Sequence, residues 1–171
     1  IVKRLRDLNR KASSEDKSPV DLQEIMEDVL VLTTNSLYDR NIIPIFPYQG
    51  SPPVVFASKD QIQQVILNLM MNAIDAIPNG GQIYVDMIIT NNPKGVRVKI
   101  RDTGVGMDDE VMSQLFDPFF TTKEDGMGLG LYNCKQIIEN HGGSLNVESE
   151  AGKGAVFSFW LPGLDVSENE D

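Results

Sequence analysis

Between Ser58 and Ile77 the apolar residues cover almost the whole circumference of a predicted helix. At about 100° per residue, the polar residues of its middle fall within one arc of roughly 80°. They are Gln61, Gln64, Asn68, Asn72 and Asp75. An ordinary surface helix has the reverse proportions, with a wide charged face and a narrower apolar stripe. Because burying amides without partners is costly, we expect this stripe to face internal hydrogen-bonding groups or a polar ligand.

The hydrophobic pattern elsewhere predicts an α+β domain, since segments of period 2 alternate with segments of period 3.6. Beyond the helix at 58–77, helices are expected at 22–39, 108–115 and 128–140. Strands are expected at 20–21, 42–47, 54–57, 82–90, 96–101, 144–149 and 155–161. A turn containing Gly50 should separate the second strand from the third. The architecture expected is a two-layer sandwich, in which a mixed, mostly antiparallel sheet carries helices on one face.

Two of the helices begin with capping signals. Ser58 with Gln61, and Asp21 with Glu24, have the spacing of a capping box. We therefore expect each of the two helices to begin directly after its capping residue.

Composition narrows the class of protein. A chain of 171 residues with 41% hydrophobic residues suits one domain with a sizeable core. Its net charge of −10 argues against non-specific binding to nucleic acid or to an anionic membrane. The single Cys134 and the absence of a signal-peptide pattern fit a reduced, cytoplasmic setting.

The chain divides into three expected segments. Residues 1–17 combine a short basic amphipathic helix with a linker, and we interpret the helix as the end of a truncated helical hairpin rather than a membrane-surface element. Residues 18–163 form the folded domain. Residues 164–171 are an acidic tail.

Two glycine clusters follow the central helix. Gly104 and Gly106 come after a predicted strand, and Gly126, Gly128 and Gly130 open a predicted helix. Glycine permits close approach of the backbone to a ligand, and the free N–H groups at a helix start favour phosphate. Neither cluster matches the P-loop or the dinucleotide-binding pattern, so each one alone fits an ordinary turn equally well.

The order of the motifs is more specific than any single motif. The amide stripe, D-T-G-V-G-M after a strand, F-D-P-F-F-T-T-K, and G-M-G-L-G-L at a helix start follow one another. This combination resembles the ATP-binding catalytic domain of sensor histidine kinases, within the GHKL superfamily that also holds topoisomerase and chaperone ATPases. The resemblance covers about residues 18–162, including the closing segment that begins at His141. It implies the Bergerat-type fold, with ATP and Mg²⁺ as ligands.

The resemblance also assigns roles to single residues. Asp102 would accept the exocyclic amine of adenine, and Asn72 would coordinate Mg²⁺ through its side-chain oxygen. Lys123, on a lid spanning residues 116–127, would contact phosphate and would join Asn68 and Asn72 as the catalytic set. The full set of implied nucleotide-binding residues is Asn68, Asn72, Asp75, Asp102, Gly104, Gly106, Met107, Phe116, Thr121, Thr122, Lys123, Gly126, Gly128, Leu129, Gly130 and Leu131. Phe116, Phe119 and Phe120 are interpreted as packing anchors of the lid.

Asn68 bears on the type of reaction. In the water-hydrolysing members of the superfamily a Glu stands one helical turn before the Asn that binds the metal, and it acts as general base. A carboxamide cannot take a proton at neutral pH, so this site is expected to hydrolyse ATP slowly.

Two positions depart from the family pattern. Ala155 stands where many members have Thr, which removes a hydroxyl beside the adenine site. Met127 stands where small or hydroxylated residues are common. Their effect on ATP affinity is left open.

The phosphate acceptor must lie elsewhere. His141 is the only histidine, and the glycines that follow it would break the long helix that an acceptor needs, so we interpret it as structural. The resemblance implies a histidine-bearing dimerisation domain of the same kinase and a response regulator as partners. From the net charge, we expect this fragment to bind no nucleic acid and to make no direct membrane contact, and membrane anchoring of the parent protein stays open. Two alternatives stay open: an ATP-dependent binding or switch module without chemistry, and a serine kinase similar to the anti-sigma-factor kinases.

Overall fold

The computed structural model of the protein describes residues 17–51, 53–124 and 126–164. The basic helix predicted near the start, and the acidic tail beyond residue 164, lie outside these residues. The helices are α1 (Leu22–Asp39), α2 (Lys59–Ala76), α3 (Asp109–Gln114) and α4 (Gly130–Asn140). The strands are β1 (Ser18–Asp21), β2 (Ile42–Ile45), β3 (Val54–Ala57), β4 (Gly81–Asn91), β5 (Lys94–Asp102), β6 (Ser144–Ser149) and β7 (Ala155–Pro162).

The main sheet has five strands in the order β2-β4-β5-β7-β6. Strand β2 runs parallel to β4, and the other neighbouring pairs are antiparallel. This confirms the mixed, mostly antiparallel sheet expected from the hydrophobic alternation. The second and third strands lie in different sheets, since β2 pairs with β4 and β3 pairs with β1.

The core lies between the sheet and the helices, and α2 supplies much of it. The apolar residues of α2 are inaccessible to solvent on the sides that face α1, α4 and β5, whereas Asn68, Asn72 and Asp75 retain access to solvent. Since an inaccessible apolar side chain contributes roughly 1.5–3 kcal/mol of burial free energy, this packing fixes the orientation of the helix. The polar stripe is therefore held toward one open side of the domain.

The two predicted capping boxes have different outcomes. The Asp21 side chain caps α1 by accepting a hydrogen bond of 2.8 Å from the Gln23 N–H. The capping box at Ser58 is wrong, because its side chain makes no capping hydrogen bond. Ser58 is instead buried, and its backbone N–H donates to Nε2 of His141 at 3.1 Å.

His141 is the structural residue that the sequence suggested. It ends α4, is buried, and its Nδ1 lies 2.7 Å from the carbonyl oxygen of Ile137. Accepting from Ser58 at Nε2 and donating to Ile137 from Nδ1 requires the neutral ring. Burial lowers the pKa of His141, which agrees with that protonation state.

Candidate functional site

The amide stripe of α2 forms one wall of the candidate site, and Asn68 lies where this stripe meets α4. Nδ2 of Asn68 donates to Sγ of Cys134 on α4 at 3.3 Å. A Cβ on Gly130 would lie only 2.6 Å from the same nitrogen, so any other residue at position 130 would force the Asn68 side chain to shift. Nothing in the sequence pointed to the contact with Cys134, because the two residues are on different helices.

Asp102 stands at the end of β5, next to the end of α2. Its carboxylate is buried, and its Oδ1 accepts hydrogen bonds from the N–H groups of Gly104 at 2.8 Å and Ala155 at 3.3 Å. Burial raises the pKa of the Asp102 carboxyl, while these N–H donors act in the opposite direction. An acidic group kept in a buried position at a cost, beside a glycine-rich loop, is a candidate for ligand recognition.

The loop that follows Asp102 is held on two sides. The Val105 N–H donates to the Ala76 carbonyl at 2.9 Å, which ties the loop to the end of α2. On the other side Gly106 has a φ of 67°, and a Cβ there would lie 2.0 Å from the Glu150 carbonyl oxygen. Met107 is held through its N–H, which donates to Oγ of Ser149 at 2.9 Å. This predicted cluster is therefore a fixed edge of the site.

The second glycine cluster begins α4 without a side-chain cap. The N-cap residue is Leu129, whose side chain makes no capping hydrogen bond, so the N–H groups of the first turn remain available to an anion. Leu131, in that first turn, packs against the core and orients the helix start. The structure thus brings the start of α4 to the same side of the domain as the α2 stripe.

The segment between α3 and α4 is irregular, as predicted, but its phenylalanines do not act alike. Phe116 packs against the core, and Nζ of Lys135 lies 5.5 Å from the centre of its ring. Phe119 is 72% exposed, so the prediction that its ring anchors the lid is wrong. It is held by its backbone instead, because its N–H donates to the Gly128 carbonyl at 2.8 Å.

The rest of this segment is organised by the loop backbone around Lys123. The Lys123 N–H donates to Oγ1 of Thr121 at 3.1 Å, and the Gly126 N–H donates to the Lys123 carbonyl at 3.2 Å. Thr122 is exposed. These contacts close a local turn that presents the Lys123 side chain.

The Lys123 ammonium lies on the α2 stripe. Its Nζ is 3.1 Å from Oδ1 of Asn72 and 2.6 Å from Oδ2 of Asp75. The other oxygen of Asp75 lies 3.3 Å from Nη2 of Arg40, at the end of α1. Arg40 was not among the residues singled out by the sequence, and its place beside Asp75 is a product of tertiary packing.

The donor set around Asn72 fits a hard cation. Its amide oxygen is accessible and already contacts a positive charge, that of Lys123. No group of three His, Cys, Asp or Glu side chains that could hold a metal occurs in residues 17–51, 53–124 and 126–164. A metal at Asn72 would therefore need most of its remaining ligands from a bound anion and water.

The family of the chain follows from a direct comparison. A family model described as histidine kinase-, DNA gyrase B-, and HSP90-like ATPase matches residues 57–164, which is more than half of the chain. The chain belongs to this ATPase family.

Two similar proteins within this family are a sensor protein and a sensor histidine kinase. The sensor protein FixL of Bradyrhizobium diazoefficiens is 38% identical over 168 residues, covering 96% of this chain and 33% of that protein. The sensor histidine kinase ZraS of Klebsiella oxytoca is 39% identical over 162 residues, covering 95% of this chain and 35% of that protein. The chain thus spans about a third of the length of these relatives.

Solved structures agree with the fold. The nucleotide-free catalytic domain of histidine kinase ThkA has a TM-score of 0.75 at 34% identity, covering 86% of this chain and 96% of that one. Full-length ShkA in complex with AMPPNP has a TM-score of 0.78 at 26% identity, covering 88% and 32%. ThkA in complex with the response regulator TrrA has a TM-score of 0.73 at 30% identity, covering 95% and 48%. These likenesses confirm the fold class expected from the sequence.

Proposed function

We propose that this chain is the ATP-binding catalytic domain of a sensor histidine kinase, and that it delivers the γ-phosphate of ATP to a histidine on a separate domain. The observation that carries the proposal is the convergence of the α2 amide stripe, the buried Asp102 and the uncapped start of α4 on one side of the domain. The names of the FixL and ZraS relatives support the kinase assignment, and the ShkA complex with AMPPNP supports a triphosphate ligand.

Asp102 is proposed to select adenine. Its Oδ1 accepts from the N–H groups of Gly104 and Ala155, and Oδ2 would accept a hydrogen bond from the exocyclic amine of the base. Guanine presents a carbonyl at that position, which a carboxylate repels. The loop at Gly104 and Gly106 is held between Ala76 and Glu150, and its backbone would lie against the base.

The phosphate end is assigned to the start of α4, Lys123 and Asn72. The free N–H groups at Gly130 and Leu131 would bind phosphate oxygens, and Lys123 would contact the terminal phosphate. Asn72 would hold Mg²⁺ with its side-chain oxygen, and the ion, when bound, would neutralise charge on the phosphates. Thr121 and Thr122 would complete the lid side of the site.

Asn68 is proposed to set the reaction type. Its amide donates to Cys134 and has no basic group with which to activate water. His141 does not supply a base or an acceptor either, because both of its ring nitrogens are engaged in a buried, neutral ring. Transfer to a histidine on another domain is therefore favoured over transfer to water.

The partners follow from this reaction. We propose a histidine-bearing dimerisation domain of the same kinase as the acceptor, and a response regulator as the next recipient, which the ThkA–TrrA complex supports by analogy. No helix among the described residues is both long and apolar enough to cross a bilayer. We expect the catalytic reaction to take place in the cytoplasm.

The test is to mix this chain with the histidine-bearing domain of its parent kinase and ATP labelled at the γ-phosphate. We expect label on the acceptor that is stable to alkali and labile to acid, as for phosphohistidine. Acid-stable phosphoserine would instead favour the serine kinase alternative. Binding of ATP without transfer to any acceptor would favour a binding or switch module, and no binding of ATP with Mg²⁺ would overturn the proposed site.

A further inference from the structure

We infer that the Lys123 ammonium is a placeholder: in the nucleotide-free chain it occupies the oxygens of Asn72 and Asp75, and it must leave them when a metal–nucleotide binds. The inference rests on the proposed function, since it concerns the same site. It adds a second position for Lys123, distinct from the phosphate contact proposed above, and a role for Asp75 and Arg40.

The Lys123 ammonium contacts two side-chain oxygens of α2. Its Nζ is 2.6 Å from Oδ2 of Asp75 and 3.1 Å from Oδ1 of Asn72. Asn72 and Asp75 lie on adjacent positions of one helical face, so a single ammonium reaches both side chains. Lys123 therefore attaches the loop between α3 and α4 to the wall of the site.

Arg40 holds the Asp75 carboxylate in place from the other side. Its Nη2 lies 3.3 Å from Oδ1 of Asp75, and its Nη1 lies 3.5 Å from the Ile74 carbonyl oxygen at the end of α2. Because Arg40 engages only Oδ1, Oδ2 remains free for Lys123. Arg40 is thus a positioning residue, which acts on the lid through Asp75.

Lys123 and a metal ion cannot both occupy the side-chain oxygen of Asn72. The oxygen that would coordinate Mg²⁺ is the oxygen that Lys123 contacts, and an ammonium beside a divalent cation would be repelled. A bound triphosphate offers Lys123 a new anionic partner at the same time. Arrival of the metal–nucleotide would thus move the lysine from Asp75 to phosphate, while Arg40 continues to neutralise Asp75.

The contact between Lys123 and Asp75 is expected to be weak because both side chains are partly exposed. The side chains of Lys123 and Asp75 are 48% and 32% exposed, and ion pairs of this exposure change equilibria by about two- to fivefold. A stronger contact would oppose nucleotide binding. We therefore expect small changes in the reactivity of Lys123 and in nucleotide affinity, each in a defined direction.

The first test measures the acetylation rate of individual lysines in the nucleotide-free chain by mass spectrometry. In Asp75→Asn we expect Lys123 to react about two- to fivefold faster than in the wild type, because its anionic partner is lost. The matched control is Glu24→Gln, which removes the partner 3.0 Å from Nζ of Lys59. That control should accelerate Lys59 and leave Lys123 unchanged, whereas an unchanged Lys123 in Asp75→Asn would overturn the inference.

The second test uses ADP with Mg²⁺, because ADP has no γ-phosphate for Lys123 to contact. If Lys123 competes with the metal, Lys123→Met should bind this ligand about two- to fivefold more tightly by calorimetry, and Lys59→Met should bind it unchanged. Equal or weaker binding in Lys123→Met would overturn the placeholder. Failure of the wild type to bind ADP with Mg²⁺ would overturn the proposed function and the displacement step, while the acetylation rates would still report whether Lys123 contacts Asp75.

Discussion

Replacing Asp102 with Asn tests the adenine site with almost no change of shape. The N–H groups of Gly104 and Ala155 both point at Oδ1, so they would retain an amide oxygen there. The amide nitrogen would then take the place of Oδ2 and would present hydrogen to the amine of adenine. The variant therefore exchanges an acceptor for a donor at the one position that would read the base.

The loss of affinity follows from the type of hydrogen bond removed. A hydrogen bond to a charged group contributes about 1.5–3 kcal/mol, and 1.4 kcal/mol corresponds to a factor of ten. We expect ATP to bind about 10- to 150-fold more weakly in calorimetry, with the preference for ATP over GTP reduced, since the new amide can donate to the carbonyl of guanine. Asp86→Asn, an exposed change on β4, is the control and should leave both affinities unaltered.

The same variant should be at least as stable as the wild type at neutral pH. Because burial raises the pKa of Asp102, its ionised form costs folding free energy, and stability is lost as the pH rises from below the ordinary value of 3.8 through the folded pKa. The Asn variant lacks this cost, so its advantage in denaturant melts should appear near neutral pH and disappear in acid. Unchanged ATP affinity, or a variant destabilised at pH 7, would refute the assignment of Asp102 as a buried carboxylate kept for a ligand.

Three further predictions follow from other side chains. With Asn68 in place of a general base, the isolated chain should hydrolyse ATP about 10²–10⁴-fold more slowly than a superfamily member with Glu there, and a fast phosphate release would contradict this. Burial raises the pKa of Cys134 to about 12, so a thiol reagent at pH 8 should label it only when denaturant unfolds the chain. Burial lowers the pKa of His141, so the unfolded chain takes up its proton first and stability should fall as the pH drops below about 6.5. Since His141 is the only histidine, His141→Asn should remove that component of the urea-melt profile, and a profile unaffected by the substitution would contradict the assignment.

The sequence predicted those parts of the fold that depend on local pattern. Periodicity located α2 within one residue of its ends. The signal is strong because a helix that is apolar around most of its circumference must be buried along its length. The hydrophobic alternation of β5 likewise identified a strand with one buried face. The sequence did not show that β2 pairs with β4 and β3 with β1, since period-2 patterns show which face is buried and not which strand is the neighbour.

The residues of the candidate site also fall into those that local sequence motifs identify and those that only tertiary packing brings to the site. Asp102 and the glycines could be singled out because their motifs are contiguous in the sequence. Arg40 could not, because it reaches Asp75 from a different helix and nothing around residue 40 signals that contact. For Phe119 the motif was misleading, since its place in a recognised motif suggested a packed ring. The ring is exposed, and the backbone N–H makes the structural contact instead.

The charge of the chain explains why the site is built as it is. A protein of net charge −10 repels a triphosphate at long range, so binding must depend on donors close to the ligand. The uncapped start of α4 and Lys123 are such donors, and Arg40 reduces the effect of the Asp75 carboxylate, which lies beside Lys123. Because Lys123 is shared with Asp75, a divalent cation carried by the nucleotide would add positive charge at the site. We therefore expect affinity for the nucleotide to depend on the metal, although residues 17–51, 53–124 and 126–164 include no group of three His, Cys, Asp or Glu side chains that could hold one.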